Sequence, residues 1–435
     1  MDTKILAANL FKEALQSVNP RKFLTKKILF DKKNDLLSIE DYAIQLKKNQ
    51  PVYVIGTGKA SPTMASAVEE ILGERLHSGM IIAPPDSQAN LNRVQMLIGS
   101  HPLPDHRSFS SSVALLNFVK TIPEGALVLN LVSGGTSSLF SIPQDGISEN
   151  QLSQVYSLLL KSGAPIQEIN TVRRALSKVK GGQLLKYLHQ TTLMDIIISD
   201  VPDDDLRFIG SGPSISQNIS YAEALSVIKN YSLDGDIPEA VRTWLEEQAN
   251  IKPNYQTKDF DSHQSFVVSS ASIVAGIFAE LVQKEGYDVH LIEPAWAGLI
   301  NDFEEHILSF LKISLKERIT RTAFIFFGEC TVEVTGNGLG GRNQELALRM
   351  AKHLSCVQEK VTFLSAGTDG VDGPTDAAGA VVDEKSYKNA IKDGVDAEQY
   401  LSENNSYSFY RESGGHIITG PTGNNVMDLQ LLIID

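Results

Sequence analysis

Two basic side chains and two acidic turns in this 435-residue chain stand where phosphate chemistry would need them. Arg342 closes the run Thr335-Gly336-Asn337-Gly338-Leu339-Gly340-Gly341-Arg342-Asn343, and a helical pattern follows at once over residues 343–354, with Leu346, Met350 and Leu354 on one face. An apolar, β-rich run, residues 322–334, leads into it. Strand, glycine turn, helix is the layout that turns backbone N–H groups toward an anion. A guanidinium at that junction can take two phosphate oxygens at once. Gly340, Gly341 and Asn343 are therefore read as binding residues beside Arg342, although glycines equally serve plain tight turns. A second turn, residues 366–376, carries Asp369, Asp372 and Asp376 after another strand-like run, residues 361–364. Hard oxygen ligands beside an anion cradle point to phosphate with magnesium, and Asp369 heads that set.

The amino-terminal half holds matching pieces. Lys59 lies in Gly56-Thr57-Gly58-Lys59-Ala60-Ser61, between a strand at residues 52–55 and a helix at 62–72. The spacing fits neither the P-loop nor the dinucleotide fingerprint. A lysine at such a turn is placed to meet an anion; a solvated surface lysine is the plain alternative. Ser133-Gly134-Gly135-Thr136 follows an apolar strand, residues 126–132. Its amides and hydroxyls could converge on a phosphate or carboxylate, and a simple helix cap would look the same. Asp200 heads the acidic run 200–205 just past a strand at 194–198, the end of a strand at which α/β sheets bind ligands. Residues 169–188 read as a basic helix whose Arg173, Arg174, Lys178 and Lys186 form a solvated face, while Gly181-Gly182 interrupts it and can turn Lys180 inward. His101, before Pro102, is a minor candidate on a stiff loop.

These residues need elements to hold them. Short strands alternate with helices in both halves, the rhythm of a two-part α/β protein. The expected division is an amino-terminal α/β domain at 1–255 and a carboxy-terminal α/β domain at 262–435, with the boundary near 250–262. Helices are expected at 3–19, 108–120, 221–250, 271–285 and 302–319, further strands at 287–292 and 429–434, and a polar connector at 31–35. A cleft between domains is a preferred small-molecule site, so Lys59 and Arg342 are expected to meet there.

Composition bounds the function. Hydrophobic residues make up 42% and charged residues 21%, values of a globular chain with a sizeable core. The net charge of −13 argues against a nucleic-acid partner, and means that an anionic substrate is met by local positive charge. Cys330 and Cys356 form neither a disulfide framework nor a zinc motif and are expected to be buried thiols in a reducing compartment. No apolar run approaches the ~20 residues of a membrane span, and the first residues lack a signal-peptide layout. A soluble cytoplasmic protein without membrane partners is expected.

Taken together, the motifs resemble the class II glycerate 2-kinases, whose carboxy-terminal part is called the MOFRL domain. The resemblance rests on Gly56-Thr57-Gly58-Lys59-Ala60, Gly99-Ser100-His101-Pro102, Ser133-Gly134-Gly135, Val172-Arg173-Arg174 with Lys180-Gly181-Gly182, Ile198-Ser199-Asp200-Val201, Ser211-Gly212-Pro213, residues 338–348, residues 367–375, and Thr419-Gly420-Pro421-Thr422-Gly423 through Asn425. It implies a Rossmann-like, mostly parallel amino-terminal sheet, a smaller mixed α/β carboxy-terminal domain, and ATP- and Mg²⁺-dependent phosphorylation of D-glycerate at its 2-hydroxyl. The family's catalytic lysine and arginine fall on Lys59 and Arg342, and its acidic positions on Asp200 and Asp369, which are also the implied metal ligands. Gly56, Gly58, Ser133, Gly134, Gly135, Thr136 and Lys180 join Gly340, Gly341 and Asn343 as implied nucleotide or substrate contacts. Thr136, Pro202 and Asn424 depart from the family pattern. Proteins of this kind have also been labelled hydroxypyruvate reductases. That activity and a non-catalytic nucleotide or sugar-acid sensor are the alternatives, and either a monomer or a homodimer is compatible with the sequence.

Overall fold

Three strands of the first half, Val52–Thr57, Leu127–Val132 and Thr192–Ile198, are apolar almost throughout and buried along nearly their whole length. Strands covered on both faces carry that signature, and parallel pairing goes with it. They lie at the centre of a six-stranded sheet ordered His263–Ser269, Thr192–Ile198, Leu127–Val132, Val52–Thr57, Leu76–Ala83, Val94–Ile98. The four pairings from Thr192–Ile198 through Val94–Ile98 are parallel. The computed structural model describes residues 2–17, 19–251, 255–256, 262–423 and 425–435. Parts of the expected boundary at 250–262, and Asn424, lie outside the described residues.

The chain divides into two compact units. One comprises Pro20–Ser199 and Asp204–Val268 and holds the parallel sheet; the other comprises Met1–Asn19, Asp200–Asp203 and Ser269–Asp435. Division by sequence order at 255 and 262 misses two things. The strand His263–Ser269 is an edge of the parallel sheet, beside Thr192–Ile198. It is fastened there by the fully buried Asp195, whose carboxylate accepts from Asn130 Nδ2 (2.8 Å), Ser214 Oγ (2.8 Å) and Ser265 Oγ (2.9 Å) and lies 2.8 Å from His263 Nε2. The helix Thr3–Ser17 belongs with the other unit. It packs on the helix Ala271–Lys284 with Phe11 and Phe278 edge to face at 6.3 Å, and ties Thr3 to Thr362 (2.6 Å) and Lys4 to Asp383 (3.1 Å).

The second unit is built on a mixed sheet ordered Asp288–Leu291, Thr322–Thr331, Asp428–Ile434, Val361–Gly367, Gly379–Asp383, His416–Ile417, and Trp296–Leu299 also pairs with Thr322–Thr331. The pairs of Thr322–Thr331 with Asp288–Leu291 and Trp296–Leu299 are parallel, and those through Asp428–Ile434 to the far edge are antiparallel. The helix Arg342–Leu354 covers it with a fully apolar inner face of Leu346, Ala347, Met350, Ala351 and Leu354.

Three local expectations are corrected. Residues 31–35 are not a bare connector but the turn between Ile28–Asp31 and Leu36–Ile39, which with Tyr42–Gln45 form a small antiparallel sheet. Strands of four residues are too short to show a period. The basic stretch 169–188 is not one helix: it runs Ile166–Ala175, turns through Gly181 and Gly182 at positive φ, and resumes only at Leu185–Leu188. Cys330 is buried as expected, but Cys356, just past the helix Arg342–Leu354, is exposed.

Candidate active site

In the parallel-sheet unit the candidate residues sit at the carboxy ends of neighbouring strands. Val52–Thr57 and Leu127–Val132 run side by side, so the turns after them meet. Lys59 N donates to Gly134 O (2.8 Å), Ala60 N to Ser133 Oγ (3.0 Å) and Ser133 N to Thr57 O (3.1 Å). Gly58, at φ +126°, lies so close to Ser133 that a Cβ would overlap it. Gly56 is buried within the strand Val52–Thr57, with Leu131 against its Cα. The buried Thr136 hydroxyl lies 2.8 Å from both the Thr57 and the Ser133 carbonyls. Ser133 and Thr136 thus use their hydroxyls to lace the two turns together.

What this lacing leaves open is specific. The Lys59 side chain is exposed. The consecutive amides of Gly134 and Gly135 donate to no described residue. A Cβ built on Gly135 would stand 3.3 Å from Lys59 Cγ and 3.1 Å from His101 Cδ2, so the lysine stem and the imidazole flank that glycine. The His101 ring, partly desolvated and beside the Lys59 ammonium, titrates below its ordinary range. Two consecutive open N–H groups are what an oxyanion nest requires, and the Lys59 stem passes beside them.

Lys180 does turn inward. It is fully buried, and its ammonium donates to the carbonyls of Ser137 (2.6 Å) and Phe140 (2.7 Å), closing the short helix Thr136–Leu139. Burial, and then the charge of Arg173, push it well below the usual lysine range. Two hydrogen bonds to main-chain carbonyls make it a loop tie. Gly181 N and Gly182 N donate to Ser211 O (2.9 Å) and Gly212 O (2.7 Å), and Ser211 Oγ bridges Asn170 Oδ1 and Ser137 Oγ at 2.9 Å each. Arg173 is only 8% exposed, so it is no part of a solvated face.

In the mixed-sheet unit Arg342 opens the helix Arg342–Leu354. Its Nε and Nη2 grip Asp428 at 2.5 and 3.0 Å, and Nη2 also reaches Glu329 Oε1 at 2.8 Å. Nη1 has no partner among the described residues. Burial opposes the charge, but the hydrogen bond and charge of Asp428, with Glu329 and Asp372 behind it, hold the guanidinium above its ordinary value. Burial first, then Asp428, push the Glu329 carboxyl up; Arg342 opposes, and the charge of Asp200 adds to the push, which places Asp200 in the same field. Asp369 stands with Asp428 around Gly367, whose Cβ would lie 3.1 and 3.3 Å from their Oδ1 atoms. Among the described residues no group of three or more His, Cys, Asp or Glu converges as a cage. Magnesium bound together with phosphates asks for only one or two carboxylates.

The glycine-rich run before Arg342 is pinned at its start and at the helix beyond it, while the amides of Gly340, Gly341 and Arg342 donate to no described residue. Thr335 N and Gly336 N donate to Asn404 Oδ1 (2.9 and 2.8 Å), Gly338 N to Glu403 O (2.8 Å) and Leu339 N to Asn405 Oδ1 (3.1 Å). At the helix start, Asp372 accepts from Asn343 N (3.1 Å) and Gln344 N (2.9 Å), and Gly341 is where that carboxylate packs. Gly340 abuts Ser406, and Asn343 Oδ1 accepts from Ser365 Oγ (2.6 Å). Residues 335–339 and Asn343 are thus fixed by these contacts, and Gly340 and Gly341 pack against Ser406 and Asp372 with their own N–H groups open among the described residues. Asp428 and Glu329 are the functional neighbours that the sequence reading missed, because each ends or begins a strand-rich run far from Arg342 in sequence.

The family described as a domain of unknown function, DUF4147, matches residues 6–246, and the MOFRL family matches residues 322–428. The chain is 34% identical over 440 residues to a glycerate 2-kinase of Pyrococcus horikoshii, spanning 100% of this chain and 98% of that protein. It is 36% identical to a D-glycerate 2-kinase of Thermotoga maritima over 88% of this chain and 90% of the relative. The human glycerate kinase is 31% identical over 98% of this chain and 92% of its own length. The crystal structure of a Thermotoga maritima glycerate kinase superposes with a TM-score of 0.86 at 33% identity, covering 100% of this chain and 99% of that one. The loops at the strand ends and this end-to-end relatedness lead to one conclusion: the chain belongs to the glycerate 2-kinase family.

Proposed function

We propose that this chain transfers the γ-phosphoryl group of ATP to the 2-hydroxyl of D-glycerate, giving 2-phosphoglycerate and ADP. The observation that carries the reading is the exposed Lys59 beside the open Gly134 and Gly135 amides, on a chain that aligns end to end with glycerate 2-kinases. Phosphoryl transfer asks the protein mainly for positioned cations and an aligned hydroxyl. Lys59 offsets charge on the phosphoryl oxygens, and the amides beside it receive one of them. Arg342, held from one side by Asp428 and Glu329, keeps Nη1 for a phosphate oxygen. Magnesium, held by Asp369 with Asp200, would supply further charge neutralisation on the nucleotide phosphates.

A coupled ADP-release assay over a panel of small hydroxy acids tests this. ADP formation with D-glycerate, and no loss of NAD(P)H absorbance with hydroxypyruvate, is expected. NAD(P)H oxidation without ADP release would mark a reductase, and thermal stabilisation by ligands without turnover a sensor.

A further inference from the structure

Arg173 presents a problem that the mechanism above does not solve. Its side chain is nine-tenths buried on the helix Ile166–Ala175, yet its guanidinium makes no ion pair or hydrogen bond to any described residue, and Nε is enclosed without an acceptor. A guanidinium carries five N–H donors, and burying such a charge without a partner is strongly unfavourable. Its one close neighbour of note is the face of Tyr156, 5.2 Å from Cζ. The Tyr156 and Ser141 hydroxyls are enclosed beside each other, with no other partner among the described residues. The only other ionisable group that bears on Arg173's charge here is a second buried cation, Lys180, so no carboxylate among the described residues balances either one. One turn back on the same helix, Asn170 joins Ser211 and through it Ser137, two residues from Gly135 and its flanking Lys59. Arg173 is therefore an unbalanced cation connected by this chain of contacts to the loops that carry Lys59.

We propose that Arg173 binds the carboxylate of the acid substrate. A planar two-oxygen anion matches the guanidinium fork, and the enclosed hydroxyls offer donors beside it. At 8% exposure the arginine has no room for a nucleotide with its triphosphate, which leaves a small anion as the partner that fits. The buried charge is then a cost that the free enzyme carries and the bound acid relieves. This rests on the kinase reading for the identity of the acid.

The test is steady-state kinetics and thermal shift on Arg173→Met and Arg173→Lys in the full chain. Loss of a bidentate charge-assisted pair is expected to raise KM for D-glycerate at least ~30-fold in Arg173→Met. Arg173→Lys, which keeps the charge but not the fork, should raise it roughly 10-fold. KM for ATP should stay within about 2-fold for both, since uniform binding of one substrate is what is removed. Without ligand, Arg173→Met should melt at or above the wild-type temperature, because an unbalanced buried charge is gone. D-Glycerate alone should stabilise the wild type and not the variant. A D-glycerate KM that stays put, or a rise in the ATP KM instead, overturns the assignment. So does a lower Tm with unchanged KM, which would mark a structural arginine. If Arg173→Met does not fold, Arg173→Lys decides by its KM. If the wild type releases no ADP, the kinase reading fails separately, and the D-glycerate thermal shift still decides whether Arg173 binds the acid.

Discussion

Arg342 and Lys59 are both cations at strand–helix junctions, but their surroundings set them to different work. Arg342 is oriented by two carboxylates that fix Nε and Nη2, so the guanidinium is preorganised and only Nη1 is left to act. Preorganised charge needs little rearrangement when the phosphoryl group moves. Lys59 is held through its backbone, with its N–H on Gly134 O, while the side chain is exposed. Each cation removed should cost several kcal/mol of barrier, at ~1.4 kcal/mol per factor of ten. Lys59→Ala and Arg342→Ala are each expected to lower kcat at least ~100-fold; Lys59→Ala should keep its circular dichroism and Tm near wild type, whereas Arg342→Ala should melt lower, because it leaves the buried Asp428 carboxylate without its cation. A Lys59→Ala enzyme turning over near the wild-type rate would take Lys59 out of the mechanism.

At the scale of elements, a strand–glycine–helix layout does not by itself make an anion site. The helix Arg342–Leu354 begins with two of its free N–H groups already bonded to Asp372, from the turn after Val361–Gly367. Gln344 Nε2 and Asn343 Nδ2 add donors at 3.0 and 3.3 Å. Burial nevertheless pushes the Asp372 carboxyl up to about 6, with Asp428 contributing, against the pull of those donors. A folded-state value above the unfolded one means that Asp372 contributes most stability below the unfolded carboxylate value, about 4. That contribution is lost as pH rises through about 6. Raising a carboxyl from about 4 to about 6 corresponds to roughly 3 kcal/mol between its two protonation states. Asp372→Asn has no titration here. Its stability deficit relative to wild type, read from urea midpoints, should therefore be larger at pH 4.5 and shrink toward pH 7. A deficit that grows with pH would show that the four donors outweigh burial.

At the scale of the molecule, the unit that holds Arg342 is assembled from separated stretches of chain. The helix Thr3–Ser17 joins it through Phe11 on Phe278, Thr3 on Thr362 and Lys4 on Asp383, and buries Leu6, Ala7, Leu10, Phe11, Ala14 and Leu15. Removing that apolar face exposes its docking surface on the mixed-sheet unit, at ~25 cal/mol per Å². Deleting residues 2–17 should therefore speed amide exchange in Ala271–Lys284 and Val361–Gly367 while leaving Val52–Thr57 and Leu127–Val132 protected. Faster exchange in the parallel sheet instead would show that the helix stabilises the other unit.

By itself the sequence determined the α/β class, the parallel core strands and the junctions bearing Lys59 and Arg342. These follow from local signals: apolar runs too continuous for an exposed strand, helical periods, and glycines at the turns between them. It also determined that Lys180 is turned inward, because Gly181-Gly182 breaks the helix beside it. Tertiary structure alone decided which donors remain open. Asn404, Asn405 and Asp372 take amides on either side of Arg342 from 28 or more residues away, while Gly340, Gly341, Gly134 and Gly135 keep theirs open among the described residues. It alone decided that Arg173 is buried without a partner, since basic residues on a helix look alike in sequence whichever face they take. Hydrogen-bond and charge satisfaction depend on distance in space, and those partners are far apart along the chain.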